Sequence, residues 1–179
     1  MISSDFRKYK RYGGNFFSII FLTQGFWAIL QYRIASYVYQ NLQIPLVRRL
    51  ALVICLLSQK VIEMLTGISI PASVKIGHSF YIGHFGNIII NANSIIGNNC
   101  NISQGVTIGV SGRNDLRGVP VIKDNVYIGA NAVVAGKIVI GSNSVIGANS
   151  LVNSDVMEGT TVLGVPAKAI STKNSIDYI

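Results

Sequence analysis

The chain has 179 residues, a formal charge of +8, 50% hydrophobic residues and only 12% charged residues. That size suits one domain, or a domain with an appendage, and the composition excludes both a disordered chain and a charge-laced coiled coil. Two cysteines, Cys55 and Cys100, exclude a disulfide framework and a zinc cluster and point to a reduced compartment.

Residues 1–15 read as a basic N-terminal segment, with Arg7, Lys8, Lys10 and Arg11 after Asp5. No small-residue cleavage site closes an apolar stretch, so no secretory signal is expected and the location expected is cytoplasmic. Residues 16–66 read as an apolar helical region with helices over 16–40 and 45–66. Pro45 stands near the start of the second and Gly67 just past its end, the usual punctuation of a helix. Tyr12 to Tyr32 carries no charge before Arg33, but Ser18, Thr23, Gln24 and Gly25 interrupt it, which falls short of a spanning helix. Residues 1–66 hold eight Lys/Arg against only Asp5 and Glu63. Those cations, beside Phe16, Phe17, Phe26, Trp27 and Tyr32, suit peripheral contact with the anionic inner face of a membrane.

From Ile70 onward a β-branched residue recurs every six positions. The series is Ile70, Ile76 and Ile82; then Ile90, Ile96, Ile102 and Ile108; then Ile122, Ile128, Val134, Ile140, Ile146 and Val152. Period six is neither helical nor a simple alternation. It fits a short strand and a two-residue corner, three such units closing one triangular coil. The repeating Ile or Val points into the prism, and small or aliphatic residues four positions later (Val74, Cys100, Val106, Val126, Ala132, Ser144, Ser150) fill the space between. Glycines and asparagines, among them Asn93, Asn98, Asn99, Asn143 and Asn149, suit the corners. Each coil pairs in parallel with the next, and the apolar helices of residues 16–66 are the expected cap on the open end.

The register breaks twice. Two extra residues fall around His84-Phe-Gly-Asn87, and an excursion loop runs over 110–120. Solenoids carry insertions on their functional face, which makes these the places to look for chemistry.

The hexads, the segment Ser69-Ile-Pro-Ala-Ser-Val-Lys-Ile-Gly77, the insertion at His84, the run Asn101-Ile-Ser-Gln-Gly-Val-Thr-Ile-Gly109 and the closing Gly164-Val-Pro-Ala-Lys168 resemble the hexapeptide-repeat acyltransferases. Within these the chain is similar to serine acetyltransferase and to relatives that O-acetylate sugars of surface polysaccharides. The resemblance implies an all-β left-handed parallel β-helix over 67–170 behind an N-terminal α-helical cap, with a short tail over 171–179. It also implies a homotrimer, acetyl-CoA bound between neighbouring prisms, and direct transfer to a hydroxyl.

Such a transfer needs a general base for the acceptor hydroxyl, donors for the developing oxyanion, and positioning. The resemblance places the base at His84, while His78, one hexad earlier, reads as a solvated corner. The family's Asp that orients the base falls on Ser69, a weaker partner because a hydroxyl cannot stabilise an imidazolium as a carboxylate does. Gly109, Ser111, Ala130 and Ala148 match positions lining the pantetheine arm, and Lys168 matches a basic residue near the CoA phosphates.

The family's Arg-His pair falls on Gly118-Val119, and the acidic residue before the base falls on Gly83. Losing these groups argues against gripping a zwitterion and for a saccharide acceptor in polysaccharide assembly. Serine, as in cysteine biosynthesis, is the alternative acceptor, and a non-catalytic β-helix scaffold or ligand-sensing module is the reading from another class. With two histidines in all, the chain cannot supply the three zinc ligands of a hexad carbonic anhydrase, so no metal is expected. Its cations sit in an apolar helical region with no nucleic-acid motif, so no nucleic-acid partner is expected.

Overall fold

The computed structural model describes residues 1–179. Three helices come first: α1 (Ile2–Arg11), α2 (Gln24–Asn41) and α3 (Pro45–Thr66). Fourteen short strands in parallel register follow, and a last strand turns back antiparallel. The strands form three faces. The first holds β1 (Ile68–Ser69), β4 (Ile88–Ile90), β7 (Thr107–Gly109), β10 (Val133–Ala135) and β13 (Leu151–Val152). On the second lie β2 (Lys75–Ile76), β5 (Ile95–Ile96), β8 (Val121–Ile122) and β11 (Val139–Ile140). The third is built from β3 (Tyr81–Ile82), β6 (Asn101–Ile102), β9 (Tyr127–Ile128), β12 (Val145–Ile146), β14 (Thr161–Gly164) and β15 (Ala167–Ser171).

All thirteen hexad residues point inward, none more than 4% exposed, and they merge into one core. The positions four later are buried with them, from Val74 to Ser150. A hexad therefore contributes two inward side chains, and neighbouring levels stack them in register (Ile76 on Ile96 on Ile122 on Ile140). The corner between the second and third faces carries a column of asparagines. Asn99, Asn125 and Asn143 all adopt positive φ, and each side-chain amide donates to the next: Asn99 to Asn125 (2.9 Å), Asn125 to Asn143 (3.0 Å), Asn143 to Glu158 (3.2 Å). Lys8 closes the other end by donating to Asn99 (2.7 Å). Asn93 and Asn98 keep ordinary φ; Asn98 instead uses its side chain to accept from the His78 backbone N–H.

The helices close the first coil with side chains rather than backbone. Tyr32 Oη donates to Val74 O (2.7 Å) and accepts from Ile76 N (3.2 Å). Tyr9 Oη does the same for the next strand, donating to Ile82 O and accepting from Ile82 N. Arg33 donates to Ile76 O (2.7 Å) and pairs with Asp5, whose carboxylate accepts from Phe80 N (2.8 Å). Each of these groups occupies a hydrogen-bonding place that a preceding coil would fill. Gly25 lets α2 lie this close, since a Cβ there would clash with Ile82 O.

The helical region departs from the sequence expectation in two ways. Residues 2–11 form α1, where the sequence predicts only a basic segment; its inward groups Asp5, Lys8 and Tyr9 are held by distant partners rather than by an apolar stripe. The helix expected over 16–40 begins only at Gln24, after a π-helical turn over Ser18–Leu22. The break is local: Asn15 and Ser18 bond each other's backbone, and Thr23, extended at φ −107°, donates to Ser18 O. No helix is long and apolar enough to cross a membrane.

Candidate functional site

His84 lies in the insertion between β3 and β4, at the corner joining the third face to the first. Backbone bonds pin this bulge: Gly86 N donates to Thr66 O (2.8 Å), and Gly86 O accepts from Gly105 N (2.9 Å). The imidazole is exposed and makes no hydrogen bond within the chain. His78 is a solvated corner residue beside Ser79 (3.1 Å).

The bulge heads a column. Asn131 N donates to Gln104 O and Asn149 N to Ala130 O, so the corner runs from His84 through Gln104-Gly105 and Ala130 to Ala148. Three levels separate His84 from Ala148, about 14 Å at the usual strand spacing. Both alanines are small and at least partly open, and Gln104 occupies the level between Ala130 and His84. Lys168 is exposed on β15, on the last level of the third face beyond Ala148.

Gly109 and Ser111 lie on a different corner, where the first face meets the second. There the excursion loop is closed at its neck by Ser111 N to Gly118 O (3.1 Å) and Gly118 N to Ser111 O (3.0 Å). Arg113, Asp115 and Arg117 are all exposed on it. A four-residue face is about 13 Å wide, so one prism cannot bring this corner onto His84. Between the corners runs an outward row in register, Ser69, Ile89, Thr107, Val133 and Leu151, with Ile89 55% exposed. A groove of about 1000 Å³ elsewhere, between α2 and the second face, is lined by none of the candidate site residues.

Ser69 departs from the expected arrangement. Its hydroxyl donates to Glu63 Oε1 (2.7 Å) instead of accepting from His84. Burial pushes the Glu63 carboxyl upward, but hydrogen bonds from Lys60, Ser69 and Gln59 outweigh it and hold the group below the usual carboxylate range. Sequence reasoning missed Glu63 because it belongs to α3 and matches no family motif; its spacing six residues before Ser69 was the available signal.

Residues 120–154 match the bacterial transferase hexapeptide (six repeats) family. Serine acetyltransferase of Helicobacter pylori strain J99 is 34% identical over 88% of this chain and 87% of that protein. The chain belongs to the serine acetyltransferase family of hexapeptide-repeat transferases. Its prism is accordingly the left-handed parallel β-helix of that family, with the helices at its N-terminal end. Serine acetyltransferase of Synechococcus elongatus is 35% identical over 87% of this chain, which spans only 61% of that longer protein. A solved serine acetyltransferase in complex with CoA superposes with a TM-score of 0.78 at 30% identity, covering 94% of this chain and 68% of the other.

These relatives overturn the saccharide acceptor inferred from Gly83, Gly118 and Val119, and favour the alternative, serine. That inference rested only on charge missing at three positions. The same loop carries Arg113, Asp115 and Arg117 within a few residues of Gly118.

Proposed function

We propose that this chain is a serine O-acetyltransferase that takes its acetyl group from acetyl-CoA. The observation that carries the reading is the exposed His84 at the head of this corner column, in a chain of this family. In this reading His84 accepts the proton as the serine hydroxyl attacks the thioester carbonyl. Backbone N–H groups of the corner stabilise the oxyanion, and the departing thiolate takes the proton from the imidazolium. The pantetheine arm follows Ala148 and Ala130 towards His84, and Lys168 meets the phosphates. Ser69 gives its hydroxyl proton to Glu63 and makes no bond to His84, so it does not orient the base.

Gly109, Ser111 and the charged loop complete the site from a second copy. The outward row at Ile89, Val133 and Leu151 gives the prisms an apolar surface to share, and a homotrimer places three such sites between neighbours. Arg117 is the candidate grip on the serine carboxylate and Asp115 on its ammonium.

Thiol release from acetyl-CoA against a panel of serine, free sugars and nucleotide sugars tests this. Serine should be turned over preferentially, with Arg117→Ala raising KM for serine more than it lowers kcat. Preferred turnover of any sugar would overturn the proposal.

A further inference from the structure

The helical layer carries an exposed surface with no role in the spiral or in acetyl transfer. Phe16, Phe17, Phe21 and Leu22, on and beside the π-helical turn, are 58%, 72%, 60% and 74% exposed. The rings form one cluster, Phe16 to Phe17 at 5.8 Å and Phe17 to Phe21 at 6.3 Å. It is continuous with α1 through Phe6, which meets Phe16 at 6.0 Å. The outer side of α1 presents Arg7, Lys10 and Arg11, all exposed, while Lys8 turns inward to Asn99.

The two acidic residues of the helical layer are paired, while exposed Asp177 and the C-terminal carboxylate flank Tyr178, whose carbonyl accepts from Tyr12 Oη just past α1. Asp5 is fully buried against Arg33, and Glu63 is held by Lys60. Of eight basic residues in this layer, Arg7, Lys10, Arg11 and Arg49 remain exposed with no carboxylate partner. Adjacent α3 is apolar over Leu50–Leu57, a stretch about 12 Å long, far short of the ~30 Å hydrocarbon core. That geometry allows contact in the plane of a membrane and excludes crossing it.

We propose that α1 and the π-helical turn form a docking surface for an anionic phospholipid bilayer. The aromatic cluster inserts at the headgroup level while Arg7, Lys10 and Arg11 face the phosphates. Charge complementarity selects lipid as the occupant: three exposed cations stand beside aromatic rings, and both carboxylates of the helical layer are already paired. The proposal does not depend on which acceptor the enzyme acetylates.

The test is flotation of the full chain with phosphatidylcholine vesicles, with and without 30% phosphatidylglycerol, at low and high salt. The protein should float with the anionic vesicles only, and salt should release it. Neutralising Arg7, Lys10 and Arg11 to Gln should weaken partitioning about a hundredfold, at roughly a factor of five per cation. Phe17→Ser with Phe21→Ser should abolish partitioning while thiol release persists, which shows that the variant folds. Equal binding to neutral vesicles, no binding to either, or Phe variants that bind normally would overturn the proposal. So would a wild-type chain whose oligomer dissociates when those phenylalanines are replaced, since the cluster would then be seated on another copy.

Discussion

The β-helix and the helical layer meet the same requirement, that every buried backbone group be paired, by opposite means. In the spiral each level is paired by the level before it, so one hexad rule repeated thirteen times suffices and the sequence is periodic. The helical layer has no preceding level to copy. It ends the stack with four side chains chosen one at a time, Asp5, Tyr9, Tyr32 and Arg33, which follow no period. The lesson is that a repeat protein spends its regular sequence on propagation and its irregular sequence on termination. The exposed chemistry, at His84 and in the loop, sits where the regular rule is interrupted.

The sharpest way to break this comparison is to strike one residue of each kind. His84 supports no packing, so His84→Ala should lower kcat about 10²–10⁴-fold, the usual worth of a general base, while leaving the thermal midpoint unchanged. A variant that retains acetyl transfer would remove the base from the mechanism. Arg33→Ala should do the converse. It leaves the Asp5 carboxylate buried without its partner and opens the Ile76 carbonyl, a loss of about 3–5 kcal/mol, read by urea unfolding. Arg33→Lys should rescue only part of it, because an ammonium cannot reproduce the fork that reaches Asp5, Ile76 and Gly77 together. If both variants lost activity and stability in parallel, the two regions would not be separable.

The same contrast explains what was legible in the sequence. The spiral could be read almost residue by residue, since inward and outward positions follow from spacing alone, and the two interruptions marked the corners that carry His84 and the loop. The partners that finish each region could not. Glu63 lies on a helix yet answers Ser69 on a strand, and Lys8 looks like any solvated cation until the asparagine column is built beside it. Contacts between a helix and a distant coil have no fixed separation, so no period announces them. The acceptor was misread because it was argued from the charges missing at Gly83, Gly118 and Val119 alone, against relatives that are serine acetyltransferases.

The smallest expected effect probes the seam between the regions, where α1 meets the asparagine column. Burial lowers the Lys8 ammonium from 10.5 to about 8, and burial raises the Cys100 thiol from 9.0 to about 11. Between pH 8 and 10.5 the unfolded chain holds the Lys8 proton that the fold has released, so stability rises with pH through that window. From pH 9 the unfolded chain loses the Cys100 proton that the fold retains, which pulls stability down. Burial also raises the hydroxyls of Tyr9, Tyr32 and Tyr81, adding to the fall above pH 10. The urea midpoint should therefore climb from pH 8 to 9, level off, and drop beyond 10. Lys8→Met should erase the climb, and Cys100→Ala should extend it towards pH 10. A climb that survives in Lys8→Met would show that Lys8 is not the group whose proton the fold releases.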